Sequence, residues 1–183
     1  MKLFAEKGSV NTAAVAKLAV EAAREREIGH LVVATCTGGT ARHFVPYARE
    51  FHLIAVTHAF GFAGPGMNEM AADVRAELEA AGCTLVTSAH VLSGAERGLS
   101  TTFGGVYPVE IIAHTLRMFG QGVKVGVEIA VMALDAGAIP HGRDVVAVGG
   151  SSEGADTAIV VRPAHASAIL ETRIVEIICM PRQ

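Results

Sequence analysis

Charge is scarce in this sequence. Only 18% of its 183 residues are Asp, Glu, Lys or Arg, against 51% that are hydrophobic. A disordered chain is excluded, because such chains lack the apolar residues that offset the entropy of ordering. The balance predicts one domain over residues 1–183 with a full core. It also predicts a sheet buried on both faces and a homo-oligomeric interface. An excess of basic charge is missing too: the net charge is −3, with Lys and Arg scattered. A nucleic-acid partner therefore has no electrostatic footprint. Cysteine is sparse, and Cys36, Cys83 and Cys179 are odd in number and far apart. That excludes a disulfide framework and zinc-type spacing, so no metal is expected and the chain reads as reduced and cytoplasmic. Long apolar runs are absent. The most apolar stretch, "VGVEIAVMALDAGAIP", is interrupted by Glu128 and Asp135 and is too short to span a bilayer. The start, "MKLFAEKGS", meets Glu6 before an apolar core develops, unlike a secretory signal. No repeat, low-complexity tract or linker interrupts the chain.

What is present alternates strand and helix. "NTAAVAKLAVEAAREREIG" is amphipathic, with Val15, Leu18 and Ala22 on one face, Asn11 or Thr12 as cap and Gly29 past the end. "HLVVATC" and "HLIAVTH" read as buried parallel strands. "TARHFVPYAREF" between them is helical in pattern, limited by Pro46. "NEMAADVRAELEAAG" reads as a helix capped by Asn68, and "CTLVTSA" as a third strand. His90 to Gly105 reads as a long irregular loop, of a length usually tied to function. "YPVEIIAHTLRMFG", with Pro108 in its first turn, and "GVKVGVEIAVMALDAG" are two further helices. "DVVAVGG" and "TAIVVRPA" are too close in sequence for a crossover helix, so they form an antiparallel hairpin. "RIVEIICMP" reads as a last strand at the edge. The fold class expected is α/β: a three-layer α/β/α sandwich around a mostly parallel, mixed sheet.

The segment "ATCTGGTARHF", residues 34–44, stands where the first buried strand gives way to a helix. A plain connecting turn needs one glycine, and Thr40 alone would serve as an ordinary cap. An anion-binding loop would use the whole set: Gly38 and Gly39 let backbone amides of Thr35, Cys36 and Thr37 approach closely, and Thr37 and Thr40 add hydroxyls. The segment is neither a P-loop, since no Lys follows, nor a G-x-G-x-x-G fingerprint. A second cluster, "GGSSEGADT", opens on the same sheet edge and brings Gly149, Gly150, Ser151, Ser152 and Asp156. A third, "HAFGFAGPG", places His58, Phe60, Gly61 and Phe62 where they could meet a flat ring, or pack on the domain itself.

Together these segments resemble the C-terminal domain of pyruvate kinase. "LVVATCTGGTARHFVPYAREFHLIAVTH" resembles its first β-α-β unit, and "DVVAVGGSSEGADTAIVVRP" its terminal hairpin. "THAFGFAGPGMNEM", "HVLSGAERGLSTTFGGVYPVEIIAHTLRMFGQGVKVGVEIAVMALDAG", "GADTAIVVRPAH" and "TRIVEIICMPR" are similar to a stand-alone family of pyruvate kinase C-terminal-domain-like proteins. The resemblance implies a sandwich with a mixed five-stranded core sheet. It also implies flavin mononucleotide (FMN) as cofactor, its phosphate on Thr37, Gly38, Gly39 and Thr40. Asn11, Ser151 or Ser152 would serve the ribityl chain, and His58 to Phe62 and Ser93 to Gly98 the ring. The implied function is FMN binding, with a flavin-dependent oxidoreductase as the activity if the flavin is used. The alternative is a non-catalytic sensor of a sugar phosphate or other phosphorylated metabolite. The catalytic barrel of pyruvate kinase is absent, so phosphoryl transfer to pyruvate is not implied.

The partner expected is a phosphorylated small molecule. A cation near the flavin's pyrimidine end would tune its chemistry, which nominates Arg97 against the alternative that it pairs with Glu96. His58 and His90, both at strand ends, are candidates to donate a proton or to be structural. Cys36 is read either as a thiol with lowered pKa or as a small buried residue. Glu110 and Glu128 read as ion-paired or interfacial. No catalytic residue is assigned.

Overall fold

Leu31 and Val33 turn to one side of the sheet and Val32 to the other, all fully buried. A strand buried on both faces needs helices over each. The computed structural model describes residues 1–183 and has both layers. Helix α1 (Thr12–Glu25) covers one face with Val15, Ala19 and Val20, joined by Leu78 of α3 (Ala72–Ala80). Helix α6 (Gln121–Asp135) covers the other with Val123, Val127 and Ala130. Two shorter helices, α4 (Ala95–Phe103) and α5 (Pro108–Arg117), precede α6 in the chain.

The sheet has seven strands: β1 (Lys2–Phe4), β2 (His30–Ala34), β3 (His52–Val56), β4 (Thr84–Val86), β5 (Val145–Gly149), β6 (Thr157–Arg162) and β7 (Arg173–Pro181). Their spatial order is β1-β7-β6-β5-β2-β3-β4. β5, β2, β3 and β4 run parallel, while β6 is antiparallel to both β5 and β7. The hairpin expected from the short spacing is therefore present, with Gly149 opposite Thr157. The register Leu31↔Val146 and Val33↔Val148 keeps one apolar row facing α1.

Several expectations need correction. The sheet has seven strands, one more than the six read from the sequence and two more than the five-stranded core that the resemblance implies. β7 is not an edge: the N-terminal residues Lys2–Phe4 add β1 outside it, in parallel, with Leu3 opposite Met180. Three residues are too few to show a period, so "KLF" carried no strand signal. The helix expected over "TARHFVPYAREF" breaks into α2 (Gly39–Arg42) and a 3-10 turn at Val45–Tyr47, because Pro46 has no amide to continue it. Asn68 does not cap α3. Its side chain accepts the Met70 amide in a turn at 3.0 Å, and the helix begins at Ala72. Gly29 does not end α1; Glu27 turns the chain with φ 53°. His90 to Gly105 is not all irregular, since α4 occupies its middle. There the Glu96 carboxylate accepts the Val109 amide at 2.8 Å, and the Ser100 hydroxyl donates to Glu110 at 2.6 Å. No helix is long and apolar enough to cross a membrane.

Candidate functional site

The chain leaves β2 with the Thr35 amide still on the sheet, donating to the Val56 carbonyl at 2.9 Å. It then turns sharply. The Gly38 amide donates to Thr35 Oγ1 at 3.1 Å, and Gly38 adopts φ 95°. A Cβ there would stand 2.5 Å from Val74 Cγ1, so only glycine closes this turn. The turn leaves the amides of Cys36, Thr37, Gly39 and Thr40 with no acceptor in the protein. α2 has only four residues and contributes little dipole, so the donors free at this end of the strand are the amides themselves.

These residues border a chamber of about 710 Å³. Opposite them lies the β5–β6 loop with Gly150, Ser151, Ser152, Glu153 and Gly154. That loop is fixed from behind. Asp156, fully buried, accepts the Ser151 amide at 3.1 Å and the Gly8 amide at 2.9 Å, and receives the Thr157 hydroxyl at 2.8 Å. Thr12 Oγ1 accepts the Ala155 amide at 3.0 Å and donates to the Ser9 carbonyl at 2.9 Å. Only three of the eighteen residues lining the chamber are hydrophobic, and none is Lys or Arg. The site offers neutral donors to a polar guest.

A third wall carries the titratable groups. His58 Nδ1 lies 2.6 Å from Glu69 Oε2, and Nε2 lies 3.2 Å from Cys36 Sγ. Burial, with the carboxylates of Glu69 and Glu153, pushes the Cys36 thiol up to about 11. A lowered thiol pKa is thus the wrong expectation: the neutral loop amides do not outweigh desolvation and two nearby negative charges. Phe62 packs on His58 with ring centroids 4.0 Å apart. Phe60 is largely exposed. Of the two alternatives for this loop, Phe62 takes the second in packing on His58, while it also lines a neighbouring chamber.

A second chamber of about 410 Å³ adjoins the first. Both are lined by Ala34, Thr35, Cys36, His58, Gln121 and Val125. The second is more apolar and holds the buried Lys124–Glu128 ion pair, with the Leu92 amide donating to Glu128 at 2.9 Å. Burial lowers the Lys124 pKa, against the opposing pull of Glu128. Burial likewise lowers His90, which Glu128 raises in part. Arg97 reaches this chamber, while the Glu96 carboxylate is engaged by the Val109 amide.

Of the residues nominated from sequence, Thr35, Cys36, Thr37, Gly39, Thr40, His58, Gly150, Ser151 and Ser152 line the first chamber. Phe62, Ser93 and Arg97 line the second. Asn11 does not; its side chain donates inward to the carbonyls of Glu6 and Gly8. Gly38 shapes the turn from behind, Gly149 ends a strand beneath α6, Gly61 turns its loop at φ 88°, and Asp156 is structural. Sequence reasoning missed Glu69, Ser9, Thr12, Gln121 and Glu153. Gln121 and Val125, four apart on α6, carried a same-face signal. Glu69 carried none.

The chain matches the sequence model described as pyruvate kinase, alpha/beta domain, over residues 13–161. Among solved structures it is similar to a pyruvate kinase from Cryptosporidium parvum, at 21% identity over 76% of this chain and 20% of that one, with a TM-score of 0.39. A second structure of pyruvate kinase from that organism matches at 20% identity over 79% of this chain and 22% of that one, TM-score 0.39. A third, in complex with ADP, matches at 22% identity over 75% and 20%, TM-score 0.37. The chain thus spans about a fifth of the length of these enzymes. All these matches lead to pyruvate kinase and its α/β domain. The matched family model describes a pyruvate kinase domain, so neither FMN binding with a flavin-dependent oxidoreductase activity nor a free-standing sensor of phosphorylated metabolites has support in it, and both functional expectations are withdrawn.

Proposed function

The chain belongs to the pyruvate kinase α/β domain family, and from that premise we propose that its first chamber is a binding site for a small phosphomonoester. One observation carries the reading: four amides of one loop, at Cys36, Thr37, Gly39 and Thr40, have no acceptor in the protein. Unpaired amides beside a polar cavity are costly unless solvent or a ligand satisfies them. A phosphate has the acceptor oxygens to do so, in the manner of a backbone nest. The hydroxyls of Thr37 and Thr40 add donors on the same side, and Ser151 and Ser152 face them across the chamber. Glu153 lines the same chamber from the hairpin loop, near enough for its charge to act on Cys36, and it accepts from hydroxyls of the ligand body. Because no Lys or Arg lines the chamber, affinity depends less on salt than at an Arg- or Lys-built site.

Amide chemical shifts of the isotope-labelled protein, followed during titration with inorganic phosphate and then ribose 5-phosphate, test this. The expected result is saturable movement of residues 36–40, and additional movement at 151–153 only with the sugar ester. Saturable shifts confined to other surfaces, or none at all, would refute the assignment.

A further inference from the structure

Three side chains from three separate segments meet on one wall of the first chamber. Cys36 follows β2, His58 follows β3, and Glu69 lies in the turn before α3. A carboxylate only accepts hydrogen bonds, so His58 Nδ1 carries the ring proton and donates it to Glu69 across 2.6 Å. In the neutral ring, Nε2 is left with its lone pair toward the thiol, 3.2 Å away. The chain of contacts therefore has a direction: from Sγ–H to Nε2, with the ring held by Glu69. Phe62 lies against the ring, tilted 40° to it. The same three residues bring donor atoms within 4.8 Å of one another, as a metal site would. The two ring nitrogens, however, face different partners, Nδ1 the Glu69 carboxylate and Nε2 the thiol. That arrangement belongs to an activated nucleophile.

We propose that Cys36 adds to the carbonyl carbon of a small phosphorylated aldehyde, with His58 moving the proton and Glu69 positioning the imidazole. This rests on the phosphate reading above. Cys36 and Gly39 are three residues apart, at most about 10 Å along the chain. A thiol and a phosphate cradle so close suit a substrate of about three or four carbons. In the step, Sγ bonds to the carbonyl carbon as the C=O π pair moves to oxygen. His58 Nε2 takes the thiol proton and returns it to that oxygen. The product is a thiohemiacetal. Nothing is oxidised or reduced, nothing leaves, and no other reactant is needed. The thiol, held near 11, is protonated when the aldehyde arrives, so near neutral pH it needs a base. His43 and Glu153 face the trio from the first chamber. His90, Arg97, Arg117, Lys124 and Glu128 face it from the second.

Alkylation of the full chain with iodoacetamide, resolved by cysteine in a mass spectrometer, tests the nucleophile. Cys83 and Cys179 are buried and serve as internal references. Near neutral pH, His58→Ala should slow alkylation of Cys36 by about tenfold or more. The two proteins should converge where the thiol ionises unaided, around 11. Glu69→Gln should move the pH profile at Cys36 and leave the high-pH rate alone, which a general loosening would not do. Equal rates for wild type and His58→Ala at neutral pH overturn the proposal. A second arm uses carbon-13-labelled glyceraldehyde 3-phosphate: a thiohemiacetal resonance is expected in wild type, none in Cys36→Ala, and a weaker one with unphosphorylated glyceraldehyde. If wild type and Cys36→Ala give identical spectra while inorganic phosphate still moves the loop amides, the nucleophile falls and the cradle stands. If both aldehydes add equally and phosphate moves nothing, the phosphorylated substrate falls with the cradle.

Discussion

At the scale of single residues, two adjacent glycines do different work. Gly38 holds φ 95° with Val74 pressed against the position of its missing Cβ. Gly39 has only Thr37 Oγ1, at 4.0 Å, near its own. Gly38→Ala should therefore destabilise the protein by about 1–3 kcal/mol, read as a shift in the denaturation midpoint. Gly39→Val should leave that midpoint within about 1 kcal/mol of wild type and still lower phosphate affinity by about tenfold or more, because the new side chain enters the chamber. A Gly39→Val protein that binds phosphate normally would place the ligand elsewhere. Most of the loop chemistry was legible in the sequence, because Thr35 to Thr40 are contiguous and hydroxyls beside glycines announce themselves. Glu69 was not. It meets His58 across 11 positions joined by an irregular loop, and no periodicity links two residues that only the fold brings together. Asn11 and Asp156 were read as ligand contacts because a polar side chain in a loop looks the same whether it turns outward or, as here, inward to backbone groups.

At the scale of elements, hydrophobic period made the long helices and central strands plain, and failed where an element owes its existence to neighbours. α4 contains Gly98 and a run of Ser and Thr with weak helix preference. Its contacts with α5 through Glu96 and Ser100 hold it, and those are tertiary. α6 poses the opposite problem, since its pattern is strong yet it carries Gly122 and Gly126, which lower helix preference. The structure explains both by close approach to β6. A Cβ on Gly122 would sit 2.1 Å from Thr157 Oγ1, and one on Gly126 would sit 2.9 Å from Ile159 Cδ1. Intrinsic propensity favours alanine by about 1 kcal/mol at either site. We expect the clash to win at Gly122, where Thr157 is tied to Asp156 and cannot yield. Gly122→Ala should lose about 1–3 kcal/mol. Gly126→Ala should lose less, since it presses on the end of a flexible isoleucine. Chemical denaturation of both variants decides it, and a stabilised Gly122→Ala protein would mean that α6 does not pack this tightly on the sheet.

At the scale of the whole molecule, the chamber is walled by segments far apart in the chain, and its rigidity is a property of their closure. The antiparallel hairpin that forms one wall could be foreseen, because Gly150 to Asp156 is too short for a crossover helix. The N-terminal strand behind it could not, because β1 pairs with β7 across nearly the whole sequence. Asp156 joins the two regions: one carboxylate oxygen accepts the Gly8 amide of the N-terminal segment and the Ser151 amide of the hairpin loop. Removing it strands two buried or half-buried donors and frees the Thr157 hydroxyl. Asp156→Ala should thus cost about 2–4 kcal/mol. The more telling result is spatial. Amide hydrogen exchange should quicken together at residues 2–11 and 150–157, while the amides of α6 and β2 change only as global stability does. Such coupled loosening would also weaken phosphate binding, since the opposing wall would no longer be held in place, and saturating phosphate should restore part of the protection by mass action. Were exchange to quicken in the hairpin alone, with the first eleven residues as protected as before, the N-terminal segment would be held by β1 pairing by itself, and the two walls would not form one cooperative unit.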